Sequence, residues 1–85
     1  MSSDPESTPA DYRRVVAAAF GMRVRQTRKS KGMSLRALAR AGQLDPGWLS
    51  QIEHGTRDSS ISSVLRIAHG LDVLPEDLIR DLPRE

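Results

Sequence analysis

Residues 35–53 read LRALARAGQLDPGWLSQIE, two short helical patterns separated by about three residues. In the first, Leu35, Leu38 and Ala39 share a face at helical spacing, and Ser34 stands before them as a cap. In the second, Asp45 can cap, Pro46 suits a first helical position, and Leu44, Leu49 and Ile52 are expected to point inward. A three-residue turn is too short for antiparallel packing. It suits two helices that cross steeply, as in a helix-turn-helix. A steep crossing needs a small residue where the backbones meet, and Ala39 is there. The turn needs a residue tolerant of positive φ, which Gly42 or Gln43 must supply. The outward residues of the second helix are then Pro46, Gly47, Trp48, Ser50, Gln51 and His54, none of them acidic.

Working outward, residues 1–8 hold Ser, Asp, Pro and Glu with little to bury and are expected to form a disordered arm. Residues 9–85 make the domain. Thr8 and Pro9 open a first helix expected from about Pro9 to Ser30, with Val16, Phe20, Val24 and Thr27 along one stripe. Gly21 weakens its middle by about 1 kcal/mol relative to alanine, and Gly32 stops it. The second helix is expected at about 35–41 and the third at about 46–54, ended by Gly55. Ser60 caps a fourth helix, in which Ile61, Val64, Leu65, Ala68 and Leu71 follow the i, i+3, i+4, i+7 pattern. Pro75 opens a fifth, PEDLIRDL, with acids in its first turn where the helix dipole favours them. No alternating strand pattern and no repeat is visible. The expected fold class is all-α, five helices.

The 85 residues suit one domain with a modest core. There is no cysteine, and His54 and His69 lack the spacing of a ligand set, so no metal site and no cofactor is expected. No apolar run approaches a membrane span and the N-terminus is unlike a signal peptide, so a cytoplasmic protein with no membrane partner is expected. The net charge of +2 is unevenly spread. Residues 1–11 carry three acids and no base. Residues 12–57 carry ten Lys/Arg against Asp45 and Glu53, and residues 58–85 carry three bases against six acids. A basic segment between acidic ones points to a polyanion partner for that segment alone.

Residues 20–79 resemble the lambda repressor/Cro-type helix-turn-helix domain, the XRE family. The segments that carry the resemblance are RVRQTRKSKGMSLRALA, LDPGWLSQIEHG and SSVLRIAHGLDVLPEDL. The resemblance implies a lambda-repressor-like fold, with the third helix as recognition helix in the major groove and the second across the backbone. It implies base-reading positions at Gly47, Trp48, Ser50 and Gln51, with Pro46 beside them. Gln51 can read adenine through N6 and N7, Ser50 can bond a base edge or a phosphate, and Gly47 permits close approach. Two readings stand for Trp48: a ring against a sugar-phosphate edge or thymine methyl, or partial burial against the second helix or a nearby loop.

The resemblance also implies an ion pair between Arg28 and Glu53, expected to be bidentate and partly buried. Phosphate contacts are expected from Arg36, Arg40, Thr56 and Arg57, with Lys29 and Lys31 as second choices. Arg13, Arg14, Arg23 and Arg25 read as solvated helix face. Two departures from the family pattern are Gln43 where glycine is usual and Leu35 where several relatives carry glutamine. Leu78, Ile79 and Leu82 of the last helix are expected at a dimer interface, with one of the three reaching the core.

The function implied is a sequence-specific DNA-binding transcription regulator, a homodimer on a palindromic operator, in bacteria or phage and associated with the nucleoid. The alternatives are the antitoxin of a toxin–antitoxin pair, or the controller protein of a restriction-modification system. No small-molecule ligand is expected. Ser50, Glu53 and His54 resemble a catalytic set when written together, but helical spacing puts Ser50 and His54 on an open surface, so no enzyme is expected.

Overall fold

A computed structural model describes residues 9–84, so Thr8 and the expected disordered arm lie outside the described residues. Five helices follow one another: α1 (Pro9–Ser30), α2 (Leu35–Gly42), α3 (Pro46–Glu53), α4 (Ile61–Leu71) and α5 (Pro75–Ile79). Among the described residues there is no strand, and no helix is long and apolar enough to cross a membrane.

The starts are set by local chemistry. Ser34 Oγ accepts from the Ala37 amide at 3.0 Å, Asp45 Oδ2 from the Trp48 amide at 2.8 Å, and Ser60 Oγ from the Ser63 amide at 3.2 Å. Each cap satisfies one donor that the first turn would leave unpaired. At α5, the Asp77 carboxylate instead reaches back to accept from the Leu74 amide at 3.1 Å. That helix stops at Ile79 rather than running on through Leu82, because Arg80 turns to extended backbone and Asp81 takes a positive φ of 60°.

Two helices end alike. Gln43 after α2 (φ 57°) and Asp72 after α4 (φ 56°) are both left-handed. The next amide, of Leu44 or Val73, bonds back to the Ala39 or Ala68 carbonyl, and both apolar side chains pack on the core. This is the Schellman closure with its accompanying apolar contact. The turn therefore uses Gln43, not Gly42, at a cost of about 1 kcal/mol for a side chain in that region. Gly42 is needed one place earlier. A Cβ on it would lie 2.8 Å from the Arg66 carbonyl oxygen of α4, and a Cβ on the facing Gly70 would lie 3.0 Å from the Gly42 nitrogen. The pair lets the α2 and α4 backbones meet.

The core draws on every helix: Phe20 and Val24, Leu38 and Ala39, Leu49 and Ile52, Ile67, Ala68 and Leu71, and Leu78. α2 packs chiefly on α4, and α3 chiefly on α1. Thr27 interrupts the α1 stripe without leaving a polar group unpaired, since its hydroxyl donates to the Arg23 carbonyl at 2.8 Å. The expected face of α4 is corrected. Ile61 and Leu65 are 79% and 51% exposed, while Ile67 is fully buried with Ala68 and Leu71. Two apolar stripes at helical spacing coexist on α4, and the packing of α1 and α2 selects the one centred on Ile67.

Gly21 is more than a weak point in α1. It is buried, and a Cβ there would collide with the Ile52 carbonyl oxygen and lie 2.9 Å from that of Glu53. α3 thus rests its last turn on the bare backbone of α1. Gly21→Ala is expected to lower stability by about 2 kcal/mol through overpacking, outweighing the better helix propensity of alanine. Urea unfolding measures this; an unchanged or raised midpoint would show that α3 does not sit on Gly21.

Candidate nucleic-acid interface

α3 is held at both ends. Asp45 and Pro46 fix its start. At its end, Arg28 Nε donates to Glu53 Oε2 at 2.7 Å and a terminal nitrogen donates to Oε1 at 2.9 Å, a bidentate pair. The second terminal nitrogen donates to the Met33 carbonyl at 2.9 Å. One guanidinium therefore joins the end of α1, the entry to α2 and the end of α3. The Glu53 side chain is 4% exposed and that of Arg28 12%. The hydrogen bond to Glu53 raises the Arg28 pKa above its already high ordinary value, against the opposing effect of burial. Glu53 is thereby turned inward, and the outer face of α3 carries no acid beyond Asp45, whose carboxylate caps the helix.

On that face Pro46, Gly47, Gln51 and His54 are exposed, and Trp48 and Ser50 are half-buried. Trp48 packs against the core edge, so its ring is partly inside the protomer and partly on the surface. His54 Nδ1 lies 2.7 Å from the Ser50 carbonyl, which can only accept, so the proton is assigned to Nδ1. The Ser50 hydroxyl, 3.5 Å from the same nitrogen, then cannot donate to it and is free to turn outward. Gln51 has its own supports. Its backbone carbonyl accepts from the Thr56 amide at 3.1 Å and the Thr56 hydroxyl at 3.2 Å, and Arg57 Nε donates to its Oε1 at 2.6 Å. The loop after α3 thus folds back on Gln51. One lone pair of Oε1 is taken by Arg57; the second, and both amide hydrogens, remain for a partner.

Arg36 and Arg40 are exposed one turn apart on α2, and Thr56 and Arg57 are exposed beside α3. The structure brings Gln51, Thr56 and Arg57 into one bonded group. Lys29 and Lys31 are exposed at the end of α1. Among the described residues, no group of three His, Cys, Asp or Glu could hold a metal.

Two readings from the sequence are corrected. Leu78 lies fully buried in the protomer's own core and offers no interface surface. Leu82 is half-buried against the core and Ile79 is 51% exposed. The exposed apolar residues at the last helix are Leu74 and Ile79; those of α4 are Ile61 and Leu65, which helical spacing alone had turned inward. Arg23 is not solvated helix face. Its guanidinium donates to the Asp77 carbonyl at 3.0 Å and the Arg80 carbonyl at 2.8 Å, closing the end of α5. Those carbonyls are 54 and 57 residues away, so no local pattern announces the bonds.

The chain is similar to known proteins. The family described as "Helix-turn-helix domain" matches residues 19–82. The control protein C.BamHI of Bacillus amyloliquefaciens is 43% identical over 61 residues, 71% of this chain and 75% of that protein. The crystal structure of the restriction-modification controller protein C.AhdI from Aeromonas hydrophila superposes with a TM-score of 0.71 at 35% identity, covering 73% of this chain and 94% of that one. The clp gene regulator ClgR from Corynebacterium glutamicum gives a TM-score of 0.72 at 33% identity, covering 75% and 83%. These relatives are transcriptional regulators and restriction-modification controller proteins, and the fold they share with this chain is lambda-repressor-like.

Removing one partner of the clamp leaves the other charge buried. Arg28→Ala is expected to cost about 3 kcal/mol in urea unfolding. Arg28→Lys, which keeps the charge but not the fork, is expected to fall between it and the wild type. Equal stability of all three would mean that the pair does not hold α3.

Proposed function

Because the chain belongs to the helix-turn-helix domain family, we propose that it is a sequence-specific DNA-binding transcription regulator that binds a palindromic operator as a homodimer. The observation that carries this reading is the outer face of α3, where the one carboxylate, Asp45, is engaged as the N-cap. Glu53 is withdrawn to Arg28, while Gly47, Ser50 and Gln51 face outward between exposed arginines at 36, 40 and 57. Such a surface suits a duplex, with arginines on phosphates and a few polar side chains at base edges. The base-reading set proposed is Gly47, Trp48, Ser50 and Gln51. The phosphate set is Arg36, Arg40, Thr56 and Arg57.

Dimerisation through the exposed apolar residues of α4 and α5 fits a palindrome. Two recognition helices would then sit about 34 Å apart, one helical turn of DNA. Val64 of α4 lines the same small cavity as Ile79 and Leu82, which joins α4 to the segment around α5 there. The controller-protein reading is favoured over the antitoxin reading by the likeness to C.BamHI and C.AhdI, the second of which this chain covers almost end to end. The proposal includes a cytoplasmic, nucleoid-associated protein without cofactor or small-molecule ligand, acting by binding rather than catalysis. A catalytic role for Ser50, Glu53 and His54 has little support, since Glu53 is committed to Arg28 and the proton assigned to His54 Nδ1 faces a carbonyl.

Selection from random duplex DNA tests the reading. A motif with two-fold symmetry is expected, and Gln51→Ala should relax one position per half-site, where a lost contact is worth about 1–3 kcal/mol. An unchanged motif removes Gln51 as a reader. Arg36→Ala should weaken all sites alike and lower the salt slope by about one. The interface has its own test. Ile79→Asp should convert a dimer to a monomer in sedimentation equilibrium, and an undisturbed dimer would place the interface elsewhere.

A further inference from the structure

The α1 helix begins ten residues before the segment that matches the family. Those turns are not idle. They form one wall of a shallow cleft of about 210 Å³, whose other wall is the loop after the recognition helix. Arg13 and Arg14 come from α1, and Thr56, Arg57 and Asp58 from the loop. The walls are held together by a close backbone approach. Gly55 has a positive φ of 74°, and a Cβ on it would lie 2.7 Å from Ala18 Cα, so the loop presses directly on α1.

The charges are arranged for an anion. Arg13 makes no hydrogen bond or ion pair with its side chain among the described residues. Arg14 gives one nitrogen to Asp11 at 2.9 Å on an exposed edge. Arg57 uses its Nε on Gln51, which leaves its terminal nitrogens unbonded among the described residues. Asp58 is the one acid among the lining residues. Three guanidinium groups outnumber Asp58 and the Asp11 paired with Arg14, and this excess of positive charge, beside the last turn of the recognition helix, fits a phosphodiester. Successive phosphates along a groove edge are what a helix in that groove brings to the loop at its end.

We propose that Arg13 and Arg14, with Arg57, bind a backbone phosphate of DNA next to the bases faced by α3, extending the interface to the start of α1. The proposal rests on the DNA-binding reading above. Arg57 couples the two parts. One side of its guanidinium orients Gln51 and the other reaches the cleft, so phosphate binding stiffens the proposed reader. Arg13 and Arg14 add affinity without adding sequence information.

The test uses the duplex that the wild-type chain itself selects from random sequence. Failure of the wild type to select any motif counts against the regulator reading, and is distinguishable from any result with the arginine variants. With the selected duplex, Arg13→Ala combined with Arg14→Ala is expected to bind about tenfold more weakly, with the same motif, and with a salt slope lower by about one per protomer. Arg13→Lys with Arg14→Lys should keep the wild-type slope. Arg25→Ala, an exposed arginine on the same helix outside the cleft, should also keep it. Unchanged affinity and slope in the double alanine variant, with a wild-type circular dichroism spectrum, overturns the proposal. So does an altered motif, or an equal loss from Arg25→Ala, which would reduce the effect to net charge.

Discussion

Everything α3 presents depends on how its last turn is seated on α1. The seat has two parts of opposite character. Gly21 removes the side chain that would hold the helices apart, and the Ile52 and Glu53 carbonyls come down onto it. Arg28, two turns further along, then takes both oxygens of Glu53. Close contact fixes the distance between the helices, and the planar fork fixes the rotation of α3 about its own axis. An eight-residue helix has little stability of its own, so its orientation has to be imposed from outside.

The rotation matters because it decides which residues face out. With Glu53 inward, Leu49 and Ile52 are buried and Gln51 is exposed on the opposite side. The same seating sets the loop. Gly55 lets the chain turn against Ala18, and Thr56 and Arg57 then fold back to bond Gln51. A structural clamp, a proposed base reader and a proposed phosphate binder thus form one connected group within thirty residues of chain. α5 is fastened independently, by Arg23 at its end and by Leu78 in the core.

Much of this is legible in the chain. The five elements, their starting caps at Ser34, Asp45 and Ser60, and the short turn between α2 and α3 come from spacing and turn residues. The errors share one form. On α4 the stripe through Ile61 and Leu65 and the one through Ile67 satisfy the same periodicity, because a period defines a face only up to rotation of the helix. Gly42 reads as a turn residue because glycine favours positive φ. Its role is steric, and Gln43 bears the strain instead. Arg23 reads as solvated because its partners are carbonyls, which no side-chain pattern reveals.

The sequence by itself determined what depends on neighbours within about four residues: where helices start, which faces are apolar, and where charge accumulates. Caps, proline positions and helical spacing act over one turn, so they can be read without knowing the fold. Only the tertiary structure decided what each outward group meets. That includes the choice of α4 face, the removal of Leu78 from the surface, and the meeting of Arg13 and Arg14 with a loop some forty residues away. Packing brings together residues distant in the chain, and a linear pattern carries no record of which ones.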